Sequence, residues 1–125
     1  MRRPELLVAL LAAALLCSIS SGAEPTGLTI GWEKNYLTIR GDFPGGELRT
    51  LYLEAYCRPD STDREWRETV IGHTAEKLEA SDDGKLIKLR DKLADGVVVE
   101  HTITAGSDEV DFRLVCQWVN WKGIT

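Results

Sequence analysis

The side chains in this 125-residue chain that could carry chemistry are few: His73 and His101, Cys57 and Cys116 (with Cys17 near the amino terminus), four tryptophans, and several paired carboxylates. Neither histidine belongs to a His-Glu-x-x-His array or any other metal-ligand spacing, and each sits in its own alternating stretch. A histidine on an apolar strand face is ordinarily a hydrogen-bonded core residue. The carboxylate pairs Glu109/Asp111, Asp82/Asp83 and Glu65/Glu68 fall in turns or on solvent faces, where nothing splits their environments as acid–base catalysis requires. Asp108, Glu109 and Asp111 lack the alternate spacing of a calcium loop and its closing glutamate. No Gly-x-Ser-x-Gly elbow is present. The residues therefore give no catalytic site, no metal site and no cofactor.

Aromatic content is more suggestive. Trp32, Trp66, Trp118 and Trp121 are many indoles for a short chain. An exposed indole stacks on the apolar face of a sugar ring, while neighbouring charged groups bind the hydroxyls. Trp66 lies in the irregular, charge-dense stretch from Arg58 to Arg67, which makes Trp66, Arg64, Asp63 and Arg58 the candidate ligand-binding residues. The alternative is a solvated connector with a helical turn capped by Ser61 or Thr62, and an indole packed in the core or at its rim. Trp118, in phase with Phe112 and Leu114, is expected in the core.

The amino terminus reads as an export signal. Arg2 and Arg3 precede an apolar run, Leu6 to Leu16, and Ser21-Gly22-Ala23 supplies the small residues at a cleavage site, so residues 1–23 are expected to be removed. A lipoprotein reading through Cys17 is disfavoured by bulky Leu16 before it, and the residues around the arginine pair do not support twin-arginine export. Cleavage would leave one domain, residues 24–125, in an exported location, periplasmic or extracellular. Losing Arg2, Arg3 and Glu5 takes the formal charge from −5 to −6. That acidity argues against nucleic acid and against anionic membrane surfaces, both of which need a basic stripe. Stable membrane insertion after cleavage is not expected. Cys57 and Cys116 then remain, and an oxidising address permits a Cys57–Cys116 disulfide worth about 4 kcal/mol in the chain-entropy model. The alternative is two separate buried thiols.

These residues must be positioned by strands. Val97, Val99, His101 and Ile103 alternate with Val98, Glu100, Thr102 and Thr104. After the turn Ala105-Gly106-Ser107-Asp108, the alternation resumes with Val110, Phe112, Leu114, Cys116 and Trp118, the clearest hairpin signal in the chain. Leu28–Trp32, Tyr36–Arg40, Glu47–Cys57, Thr69–His73, Ala75–Ala80 and Lys85–Arg90 read as further strands, separated by Gly- and Asp-rich turns, with Asp91–Gly96 a turn. Helical spacing of Leu48, Leu51 and Ala55 offers a helix for the third segment, which its Tyr and Thr content disfavours. The pattern predicts an all-β, antiparallel β-sandwich or open barrel, complete or truncated at residue 125.

The runs Gly31–Ile39, Tyr52–Pro59, Ser61–Arg64, Asp95–Val99 and Asp111–Leu114 resemble a family of uncharacterised secreted proteins of planctomycete-type bacteria. The likeness covers most of residues 28–115 and implies no activity. The final strand resembles, more weakly, those of galactose-mutarotase-like supersandwich domains. The expected function is an exported β-sandwich binding module with a glycan as its ligand. The alternatives are the N-terminal part of a mutarotase-like sugar-processing enzyme, or a structural envelope or interaction domain whose protein partners the sequence does not name.

Overall fold

The structure is a computed structural model and describes residues 26–119. The expected signal segment 1–23 and Trp121 lie outside the described residues. The fold is all-β and antiparallel throughout, as the alternation predicts.

Three strands form the first sheet: β1 (Thr29–Glu33), β2 (Tyr36–Arg40) and β3 (Glu47–Leu51), in that order. Lys34 and Asn35 join β1 to β2 with φ of 51° and 64°, the left-handed pair that a two-residue hairpin needs to match strand twist. A small ladder, β4 (Tyr56–Cys57) on β5 (Val70–Ile71), follows. The second large sheet is a meander of β6 (His73–Ala80), β7 (Leu86–Leu93), β8 (Val97–Ala105) and β9 (Val110–Trp118), each paired with the next.

The two larger sheets meet through one apolar cluster. Ile30 and Leu37 come from the first sheet; Ile87, Leu89, Ile103 and Ala105 come from the meander. Trp32, Ile39, Tyr52 and Val110 pack around its margin. Leu37 and Ile103 are fully buried, and each such side chain contributes about 2–3 kcal/mol relative to exposure. Backbone bonds fasten the edges: Leu28 N–H donates to the Gly106 carbonyl (2.9 Å) and Ile30 N–H to the Gly84 carbonyl (2.8 Å). Gly84 sits at φ 70°, and a Cβ there would lie 3.0 Å from the Thr29 Cβ, so any other residue at this junction is strained.

Four expectations need correction. The strand expected over Glu47–Cys57 breaks after Leu51, because Leu53 adopts φ 55° and turns the chain across the sandwich. Trp66–Thr69 is one helical turn, so the strand expected from Thr69 begins only at Val70, and β6 starts at His73. Asp91 does not open a turn. It belongs to β7, in phase with Ile87 and Leu89 and equally buried. Trp118 faces the core side of its sheet but is 78% exposed, because the covering layer ends near Phe112, where Tyr52 packs against it (ring centroids 5.5 Å apart).

Candidate functional site

The segment that crosses from β3 to β4 brings two phenols down onto the inner face of the meander. Extended residues alternate their sides, and β8 turns Val99, His101 and Ile103 inward. His101 and Asp91, from neighbouring strands, thus share this face. Tyr56 Oη donates to Asp91 Oδ2 at 2.6 Å and lies 3.0 Å from His101 Nε2, while Tyr52 Oη lies 3.1 Å from His101 Nδ1.

The one phenolic proton of Tyr56 goes to Asp91, so the 3.0 Å contact requires His101 Nε2–H to donate to Tyr56 Oη. Nδ1 is then bare and accepts the proton of the Tyr52 hydroxyl. The four groups form one directed chain, Tyr52 to His101 to Tyr56 to Asp91. Burial depresses the His101 pKa below its usual 6.5, against the weaker pull of the Asp91 charge, so the 3.3 Å approach of Nε2 to Asp91 Oδ2 is a dipole–charge contact rather than an ion pair. Desolvation, reinforced by Asp91, pushes the Tyr52 pKa up to about 12. Desolvation and then the hydrogen bond to Asp91 raise Tyr56 further. Both phenols stay protonated, as the chain needs.

His101 has no exposed side-chain surface and both ring nitrogens are occupied, so it has no lone pair free to take a proton from a bound molecule. The network's work is structural. It ties the crossing segment to the meander, with His73 packed edge-on against Tyr56 (5.0 Å between centroids). Tyr56 thus touches both histidines. Among the described residues no cluster of His, Cys, Asp or Glu could hold a metal ion.

Reading the sequence missed this network. Its signal was Asp91 in phase with Ile87 and Leu89, and His101 in phase with Val99 and Ile103: polar residues at core positions, which must find partners.

The residues that sequence reasoning nominated lie elsewhere. Residues 58–69 form a closed loop on the β4–β5 ladder, its ends joined where Arg58 N–H donates to the Thr69 carbonyl (2.9 Å). Asp60 takes a left-handed turn (φ 62°), Ser61–Asp63 make a 3-10 turn without a side-chain cap, and α1 (Trp66–Thr69) follows. Thr69 is buried and its hydroxyl donates to the Trp66 carbonyl at 3.1 Å, which anchors the helical turn from below. Arg58, Asp63, Arg64 and Trp66 are all exposed on this one loop, Trp66 at 58%. Trp66 is therefore not a core residue. Among the described residues, no hydrogen bond or ion pair joins these four to one another.

The expected disulfide is absent: Cys57 and Cys116 are free thiols, and both are exposed rather than buried. Alternation explains it. Tyr56 points into the sandwich towards Asp91 and His101, so its neighbour Cys57 faces away, whereas Cys116 pairs with Val99 on the inner face of β9.

A cavity of about 540 Å3 opens between Leu28, Ile39, Phe43 and Leu48 on one side and Ser107–Asp108 on the other. It is lined mainly by apolar groups, and none of the nominated residues reaches it. No helix among the described residues is long and apolar enough to cross a membrane. Comparison with protein-family models, with curated proteins and with solved structures finds no match to this chain.

Proposed function

We propose that this chain is an exported binding module that takes a carbohydrate ligand on the loop of residues 58–69. The observation that carries the reading is Trp66, a large indole left 58% exposed on a loop whose base is closed by hydrogen bonds. Leaving so much apolar surface in water forfeits burial that a core position would supply, and a sugar ring recovers it by stacking. Arg58, Arg64 and Asp63 add donors and acceptors of both signs on the same loop, as hydroxyl recognition needs. The mixed charge also suits a neutral ligand better than a polyanion.

A glycan array followed by calorimetric titration of the strongest hit tests this. The expected result is saturable binding that Trp66→Ala abolishes and that Arg64→Ala or Asp63→Ala weakens. Binding that survives Trp66→Ala, or no glycan bound at all, overturns it.

A second reading has one observation in its favour. Phe112, Leu114 and Trp118 are exposed on the inner face of β9, as they would be where a sheet continues into further strands. On that reading the chain is the N-terminal part of a mutarotase-like sugar-processing enzyme, and anomer interconversion is the measurement that detects it.

A further inference from the structure

The meander has two edges, and they differ in kind. On β6 the register shifts between Lys77 and Glu79, and Glu76, Lys77 and Glu79 crowd the strand with charge. A bulge and charged side chains are the devices by which sheets keep an edge from pairing. β3, the outer strand of the first sheet, is short and carries Glu47 and Arg49. β9 is long and regular by contrast: nine residues, no bulge, no proline, an unbroken register against β8, and only the oppositely charged pair Asp111 and Arg113, both in its first half.

Its backbone is also free in a regular pattern. Ala105 N–H bonds to the Lys85 carbonyl, on the β7 side, whereas Gly106 N–H bonds to the Glu109 carbonyl, on the β9 side. Extending that alternation along the ladder, Asp111, Arg113, Val115 and Gln117 turn their amides towards β8. Val110, Phe112, Leu114, Cys116 and Trp118 turn theirs outward, and among the described residues no strand meets them. The same residues line one face, exposed from Phe112 to Trp118, with Val110 half-buried at the core margin.

Charge identifies the occupant. On the other face of β9, Asp111 and Arg113 stand two residues apart, already 2.9 Å from one another. If β9 meets its own copy antiparallel about an axis at Phe112, Asp111 of each chain falls opposite Arg113 of the other. The alternating pattern makes those two pairs non-hydrogen-bonded ones, in which cross-strand side chains come closest. Moving the axis by one residue sets Arg113 against Arg113 or Asp111 against Asp111. With the axis at Phe112, the inner face aligns Phe112 with Phe112 and Val110 with Leu114, all apolar.

We propose that β9 is a dimerisation edge, pairing antiparallel with β9 of a second copy of this chain about a two-fold axis at Phe112, so that Asp111 and Arg113 bond reciprocally across it. The result is a continuous eight-stranded sheet in which Val110, Phe112 and Leu114 of the two copies meet at the centre.

Sedimentation of the full chain in reducing buffer, which keeps Cys57 and Cys116 from cross-linking, is the test. The wild type is expected to sediment as a dimer at high concentration. Asp111→Arg and Arg113→Asp each create two like-charge pairs and are expected to raise the dimer Kd by roughly tenfold or more. An equimolar mixture of the two variants restores opposite charges at both positions and is expected to form heterodimer. The double variant Asp111→Arg/Arg113→Asp restores homodimer. Rescue by mixing shows that neither single variant lost its fold. A monomeric wild type, single variants that dimerise like the wild type, or variants that neither mixing nor combination rescues would each overturn the proposal.

Discussion

The Tyr56 hydroxyl donates to Asp91 Oδ2 at 2.6 Å, joining the chain that leaves the first sheet to the inner face of the second. Core packing between the sheets is non-directional. This bond, extended through His101 to Tyr52, fixes where the crossing segment lies, and with it the ladder on which residues 58–69 are mounted.

Tyr56→Phe leaves a buried carboxylate oxygen and His101 Nε2–H without the phenol. The expected loss is about 2–4 kcal/mol of unfolding free energy, because groups stranded in the interior lose solvation without compensation. Tyr52→Phe strands only the neutral Nδ1 and should cost about 1–2 kcal/mol. Urea titration of both variants measures the difference, and equal losses would contradict the directed chain.

Acid should weaken the fold through His101. Its folded-state pKa is below the usual 6.5, so as pH falls through 6.5 the unfolded chain takes up a proton that the folded protein refuses. Stability present above that pH is therefore lost between 6.5 and the depressed folded value, at no more than about 1.4 kcal/mol per pH unit. The groups facing the ring are Tyr52, Tyr56 and Asp91. Unfolding midpoints measured against pH should fall over this window, and His101→Gln should flatten the fall. At the alkaline end the sign reverses, because there the folded state holds the extra proton. Tyr52 ionises at about 12 in the fold against 10.0 in the unfolded chain, so stability drops as pH rises through that interval.

Trp66→Ala should leave unfolding free energy within about 0.5 kcal/mol of wild type, since more than half of the residue is already in water. Leu37→Ala, at a position with no exposed surface, should cost about 2–5 kcal/mol. Chemical denaturation of the pair separates a surface put to use in binding from one that holds the sheets together.

Cys57 and Cys116 should both alkylate in the native protein without reductant, as peptide mapping would show. Reductant should not shift the unfolding transition. A shift of several degrees would mean that the thiols pair after all.

Much of the architecture was legible in the residues. The hairpin from Val97 to Trp118 has the bounds its alternation indicates, because a period of two with β-branched residues leaves few other solutions. The break after Leu51 was not legible, since Leu53 takes φ 55° and no glycine announces it. Trp118 misled because alternation reports which face a side chain is on, not whether anything covers that face. The Tyr–His–Asp network was hidden for a related reason. Tyr52 and Tyr56 lie 49 and 45 residues from His101 in the chain, so no local pattern connects them.

The order of strands in the meander carries a kinetic consequence. Each of β6 to β8 pairs with its immediate successor, so each hairpin closes a short loop and loses little chain entropy in doing so. The phenol contacts, by contrast, close loops several times longer. The four-stranded sheet is therefore expected to assemble first, around Leu89 and Ile103, with the segment bearing Tyr52 and Tyr56 docking late. Folding-rate measurements should then find Ile103→Val slowing folding, and Tyr56→Phe chiefly speeding unfolding.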